Sequence, residues 1–360
     1  MVKIKKKKQT NDFDYRYFSG SEETVYRNDE SKKLEIIKKH RAKKIKKISF
    51  NVLSFVLVFA IVISSLYIGK KGIEKFLVLK QEEKNHGLAM IPDDVKKDLE
   101  SMTEEERWAY LYEMYPELLD KKLPAGILYD YVLYYAHNPD TIGYLRIDGT
   151  RIDTPIVQAD NDKYYMKHDF YGKPTSYGAV FATHIADFKP FDRNTLLYGH
   201  NMNDGSRFAA LLNYKSMDYF RKHPIIQFDT LFEKHDWKIY AVIITNGSTA
   251  SNNGYFFDFT FDNCSDLCFE EYIKEIDKRK LYRTGVDLLP TDKLLTLCTC
   301  TYEFNDARLV VIARMVRDGE SSVVDTDLAE YKSSPVKYPD SYYDNARNNP
   351  YKDDPKFYLY

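Results

Sequence analysis

The sequence predicts a mostly β protein: an eight-stranded β-barrel with N-terminal helices and helical insertions, preceded by one transmembrane helix. Three observations predict it. From Thr141 onward, apolar and β-branched residues gather in short runs separated by turn residues such as Asp148-Gly149-Thr150. Ahead of them, between Gly69 and about Asn138, apolar residues recur at helical spacing. Ahead of those, Ile48 to Ile68 carries no charge at all.

The N-terminal part is set by charge. Residues 1–50 hold 16 Lys/Arg against 7 Asp/Glu, while the whole chain has 53 against 54, so a basic head precedes an acidic remainder. Such a head suits either nucleic acid or the flank of a membrane segment, and the adjoining apolar run decides for the second. The 21 residues of 48–68 span roughly 31 Å as a helix, which matches the hydrocarbon core of a bilayer. A cleaved signal peptide fits poorly, because the preceding segment and the apolar run are both too long. Segment 28–47 holds nine Lys/Arg and segment 69–88 five, which places the N-terminus in the cytoplasm and the rest outside. Residues 1–47 are therefore expected to be a basic cytoplasmic segment, disordered until its Lys43–Lys47 cluster meets lipid, with no role for nucleic acid.

Residues 69–138 form the expected helical extension. One short segment begins at Asp93-Asp94. Thr103 and Glu106 make a capping box, behind which Trp108, Leu111, Tyr112 and Tyr115 share one apolar face. After Pro116 and Pro124, a third segment runs through Ile127, Tyr131 and Tyr134. The barrel is expected over 139–317, with strands at 142–147, 151–157, 178–183, 195–199, 225–229, 237–245, 294–300 and 308–316. Helical insertions are expected at Ser206–Tyr219 and from Cys264 to about Lys280, which makes Cys264 and Cys268 core residues of the second. The tail, 318–360, has four prolines and seven tyrosines without a period, and is expected to be mobile or draped on the surface.

The chemistry gathers at the last hairpin. Cys300 ends one strand and Arg308 opens the next, across a loop whose Asn305-Asp306 suits a turn. Buried cysteines are usually inert. A strand-end thiol facing a fixed positive charge differs, since the cation favours the nucleophilic thiolate. His200 offers a proton carrier, with His168 and His184 as rivals, and residue physics alone does not separate Cys300 from Cys298. The four cysteines also admit a disulfide or a zinc site, but neither the C-x3-C nor the C-x-C spacing favours metal, and a Cys298–Cys300 bridge would be strained.

Thr296-Leu297-Cys298-Thr299-Cys300, followed by Thr301-Tyr302-Glu303-Phe304 and Arg308, resembles the TLxTC signature and downstream arginine of sortases, most like class B; Tyr198-Gly199-His200-Asn201-Met202 resembles that family's histidine segment. The resemblance covers Asn138 to Arg317, about half the chain. It implies a sortase-like barrel and a cysteine transpeptidase without cofactor. Cys300 would be the nucleophile, His200 the acid and base, and Arg308 the holder of the substrate carbonyl or oxyanion. The implied substrate is a surface-protein sorting signal, of the Asn-Pro-x-Thr kind, cut after threonine. The implied acceptor is an amine of a peptidoglycan precursor or of a pilin-like protein. Cys298 stands where class B sortases commonly have a small hydroxyl residue, and is expected beside the nucleophile along the groove, able to touch substrate. Two other readings remain open: a hydrolytic cysteine peptidase, and a non-catalytic membrane-anchored surface protein with structural or metal-binding cysteines.

Overall fold

A computed structural model describes residues 22–89, 99, 101–343 and 348–359. They divide into two compact units between Ile73 and Glu74. The first is helical: α1 begins at Glu22 and runs unbroken to Ala89. The basic segment, expected to be disordered, is thus helical from Glu22 onward, in register with the apolar run; its first 21 residues lie outside those described. Val52, Leu53, Phe55, Leu57 and Phe59 are each more than half exposed. Side chains of this kind need hydrocarbon around them rather than water. Among the described residues, this helix is the one long and apolar enough to cross a membrane.

Past the end of α1, the second unit continues with short helices. The segment expected at Asp93-Asp94 lies outside the described residues. Helix α2 (Glu104–Met114) starts with the capping box, Glu106 N–H donating to Thr103 Oγ1 and Thr103 N–H to Glu106. It buries Leu111 and lays Trp108, Tyr112 and Tyr115 on an apolar cluster shared with the barrel wall. Helix α3 (Val132–His137) buries Val132, Leu133, Tyr134 and Ala136 in the same cluster.

The barrel follows in eight strands: β1 (Thr141–Arg146), β2 (Asp153–Val157), β3 (Phe181–Ala182), β4 (Asn194–Tyr198), β5 (Ile225–Thr230), β6 (Asp236–Asn246), β8 (Leu294–Cys300) and β9 (Ala307–Met315). They close in the order β1-β2-β3-β4-β8-β9-β6-β5. Two joints, β2 with β3 and β4 with β8, are parallel. All eight expected strands exist, though the third shrinks to two residues. Side chains alternate across the wall. Leu145, Ile156, Leu197, Phe228, Leu295, Leu297, Val311 and Ala313 fill the interior, and two further clusters pack outside it.

The first insertion is a 3-10 segment, Ala209–Lys215, then α4 (Met217–Lys222). The second is α5 (Asp266–Arg279), capped by Ser265, so Cys264 falls outside the helix and is half exposed, whereas Cys268 is buried as expected. After α5, the two-residue β7 (Tyr282–Arg283) pairs with β10 (Glu330–Tyr331) of the tail, a sheet with no signal in the sequence.

The described residues of the tail drape over the barrel, one of the two arrangements expected for them. Ala329 enters the barrel core. Lys337, 8 % exposed, ion-pairs with Glu275 of α5 at 3.3 Å and with Asp354 at 3.0 Å. Phe357 joins the aromatic seam of Phe257 and Tyr272, and its carbonyl accepts from the Tyr255 hydroxyl at 3.1 Å. Short α6 (Asp340–Tyr343) brings Tyr342 against Phe304 and the Ser341 N–H onto Asn252. Removing residues 335–360 is predicted to destabilise this unit by about 2 kcal/mol, since several aromatic faces return to water. Tryptophan fluorescence should then report a melting temperature about 4–8 °C lower.

Near the far end of β9, Arg314, 2 % exposed, ion-pairs with Asp287 and with Glu320, and Lys238 reaches Glu320 at 2.7 Å. The Arg314 hydrogen bonds hold the Glu320 carboxyl well below the usual range, against burial and with help from Lys238. A carboxyl with a depressed folded value contributes stability above its unfolded value, and that stability is lost as pH falls. Glu320→Gln should therefore melt lower at neutral pH. Its melting temperature should also fall less steeply than the parent's between about pH 5 and about pH 3.

Candidate active site

β8 lies between β4 and β9. Its even and odd positions separate cleanly: Leu295 and Leu297 point into the barrel, Leu294 and Cys298 into the outer cluster under α5. Cys300 continues the outer set. On β9, Leu309, Val311 and Ala313 point inward and Val310 and Ile312 outward, which puts Arg308 outside. On β4, Leu197 is inside and Leu196 outside, which puts Tyr198, and His200 two residues past it, on the outer side.

Register then brings the ends together. Cys300 is the antiparallel partner of Arg308, with Cα atoms about 5 Å apart for such a pair. Tyr198 is the parallel partner of Cys298, the Gly199 N–H donates to the Cys298 carbonyl at 3.3 Å, and Thr299 Oγ1 donates to the Gly199 carbonyl at 2.7 Å. His200 therefore leaves β4 at the level where β8 ends in Cys300. All three side chains are partly exposed.

The His200 ring is oriented by backbone. Its Nε2 lies 2.8 Å from the Met166 carbonyl oxygen. A carbonyl only accepts, so Nε2 carries the proton and, in the neutral ring, Nδ1 holds the lone pair. Gly178, at φ +58°, lets the chain pass beneath: an added Cβ would sit 2.6 Å from the Tyr165 carbonyl oxygen and 3.1 Å from His200 Cδ2. The rivals lie elsewhere. Ala182 pairs with Leu197 and Thr183 N–H donates to the Leu196 carbonyl, so His184 runs away from His200, about 16 Å along the strands at about 3.3 Å per residue. It meets Asp162 at 3.0 Å. His168 stacks on Tyr164, ring centres 4.1 Å apart, with Nδ1 on the Tyr164 carbonyl.

Arg308 is held by residues that the sequence alone did not single out. Asp306 Oδ1 is 2.7 Å from Nη2, and Nη1 donates to the Ala307 carbonyl at 3.1 Å. Asp306 Oδ2 accepts from Ser248 Oγ at 2.8 Å. Burial pushes the Asp306 carboxyl up, but the Ser248 bond and the Arg308 charge outweigh it and leave it below its ordinary value. Gly247 makes room: a Cβ there would lie 2.6 Å from Arg308 Cζ. The signal for Asp306 was only its place in the connecting loop two residues before Arg308; its left-handed backbone, φ +59°, lies outside the strand alternation that would have assigned it a face.

The turn after the cysteine is fixed too. Thr301, buried, accepts from Lys215 Nζ at 2.7 Å and donates to Glu303 at 2.6 Å, while Lys215 and Glu303 form an ion pair. Cys298 needs correction. It is 1 % exposed, packed in the outer cluster, and so is a core residue with no surface to offer a substrate. Burial, only partly opposed by Arg308 and reinforced by Cys300, pushes its thiol up to about 12. All four cysteines are free thiols.

A closed eight-stranded barrel with a half-exposed cysteine, an arginine and a histidine at one edge defines a candidate thiol-dependent barrel enzyme. The sortase-domain family model matches residues 145–316. Sortase B of Listeria monocytogenes is 30% identical over 181 residues, 50% of this chain and 71% of that protein. Sortase B of Staphylococcus aureus is 26% identical over 182 residues, 50% of this chain and 72% of that protein. The crystal structure of Clostridium perfringens sortase B superimposes with a TM-score of 0.45 at 28% identity, covering 51% of this chain and 98% of that one. The chain belongs to the sortase family, with the class B enzymes.

Iodoacetamide at neutral pH is predicted to modify Cys300 at least about tenfold faster than the other cysteines, because Cys298 and Cys268 are buried and burial raises the Cys264 thiol. Peptide mass mapping should find Cys298 and Cys268 unmodified until denaturant is added, and Cys264, whose thiol burial raises to about 11, slow.

Proposed function

We propose that this chain is a membrane-anchored cysteine transpeptidase that cleaves a C-terminal sorting motif after threonine and passes the acyl group to an amine. The observation that carries the reading is the register of β4, β8 and β9, which sets His200, Cys300 and Arg308 on one outer edge. Membership of the sortase family supports the same reaction class.

In the proposed reaction, the Cys300 thiolate adds to the threonine carbonyl carbon, and the carbonyl π pair moves to oxygen. Arg308, always charged, donates to that oxyanion. Collapse breaks the C–N bond, and the imidazolium of His200 gives its Nδ1 proton to the departing amine. A thioester remains on Cys300. An acceptor amine, of a peptidoglycan precursor or a pilin-like protein, then attacks it; Nδ1 takes the amine's proton, and the thiolate leaves. No external acid, oxidant or cofactor enters the balance. The exposed apolar helix suits a single-pass anchor. Its basic flank supports a cytoplasmic N-terminus and a site on the side where surface proteins meet wall precursors.

The test uses the full chain in detergent with a labelled Asn-Pro-x-Thr-type peptide and an added amine. The expected product is the amide adduct; free acid alone would mark a hydrolytic peptidase instead. Cys300→Ala should abolish adduct, His200→Ala lower kcat/KM by about 10²–10⁴-fold, and Arg308→Lys by about 10²–10³-fold, because an ammonium lacks the planar fork. Full activity in Cys300→Ala overturns the assignment.

A further inference from the structure

We infer that Asp306 is a positioning residue for the proposed transfer, holding the Arg308 guanidinium in the plane and direction from which it meets the oxyanion. This rests on the transpeptidase reading and deepens it.

Three features of the loop point this way. Asp306 and Arg308 ion-pair at 2.7 Å with side chains 27% and 26% exposed, so the pair is neither freely solvated nor fully buried. Asp306 is in the left-handed region at φ +59°, a conformation that costs a side-chain-bearing residue energy and that Asp and Asn tolerate best. That backbone is pinned by the Gly247 N–H, which donates to the Asp306 carbonyl at 2.8 Å. The carboxylate itself is aimed: one oxygen takes Arg308 and the other takes Ser248 Oγ, which lies 3.3 Å from Ser251 Oγ.

A guanidinium has five N–H groups in one plane. With one Nη2 proton on Asp306 and one Nη1 proton on the Ala307 carbonyl, two of the five are committed and the plane is set. Three remain for a substrate oxygen. Oxyanion donors act at about 2.7–3.1 Å, and a 1 Å displacement of such a group costs about 10²-fold in rate. The same carboxylate offsets part of the arginine's charge, so the Cys300 sulfur meets a field weaker than a lone guanidinium would give.

A capping role in the turn is the alternative, and two variants separate them. Asp306→Gly keeps the left-handed backbone without cost and deletes the carboxylate; Asp306→Asn keeps shape and an acceptor for Nη2 and deletes the charge. In the full chain in detergent, Asp306→Gly is expected to lose about 30–100-fold in kcat with KM within about threefold, and Asp306→Asn to stay within about fivefold in kcat. An active parent whose Asp306→Gly variant keeps kcat within about threefold overturns the role given to Asp306 alone. A parent that forms no adduct overturns the transpeptidase reading and this inference with it. Should Asp306→Gly melt well below the parent, Asp306→Asn decides: a kcat more than about thirtyfold below the parent's at an unchanged melting temperature overturns the inference, because that variant keeps the acceptor for Nη2.

Discussion

Everything at the candidate site depends on one joint, the parallel pairing of β4 with β8. A slip of one residue would turn each side chain of β8 to the opposite face, carrying Cys300 into the barrel and away from Arg308. The two threonines of Thr296-Leu297-Cys298-Thr299-Cys300 guard against it. Thr296 Oγ1 donates to Asn194 Oδ1 at 2.6 Å, and Thr299 Oγ1 donates to the Gly199 carbonyl. Asn194, 1 % exposed, uses its amide protons on the Phe259 and Phe261 carbonyls, so the joint is also tied to the approach to α5. A shifted register would leave these three buried side chains without their partners, which is how a parallel strand pair without a tight turn keeps its alignment.

The barrel was legible because its information is local: runs of alternating apolar residues broken by turn formers, at eight places. The capping box before α2 was equally plain, being a pattern of four residues. The hairpin of β8 and β9 set Cys300 beside Arg308, since a strand end and a strand start joined by a short loop must lie side by side, but choosing Cys300 over Cys298 took the family signature. His200 needed the family resemblance. Its nearness to Cys300 comes from a parallel pairing across a hundred residues, and nothing local encodes that.

What escaped reading was mostly backbone. The Met166 carbonyl that orients His200 has no side-chain signature, and neither does the room that Gly247 leaves for the guanidinium. Cys298 was misplaced for a related reason. Sharing a strand face with Cys300 is correct, but α5 and its aromatic neighbours cover that face up to the last residue, and only a three-dimensional structure says where cover ends. The tail was opaque because its contacts are long-range: Lys337 answers a buried Glu275, and Tyr342 meets Phe304, in the loop that leads to Asp306 and Arg308.

The carbonyl of Met166 has one more effect. An imidazole with Nε2 occupied has a single port for protons, Nδ1, and a single port serves one visitor at a time. In the proposed reaction the departing peptide and the incoming amine would both have to use that point in space. In that reaction the first product would have to vacate before the acceptor could be deprotonated, so a backbone oxygen far outside the signature motif would impose the order of events.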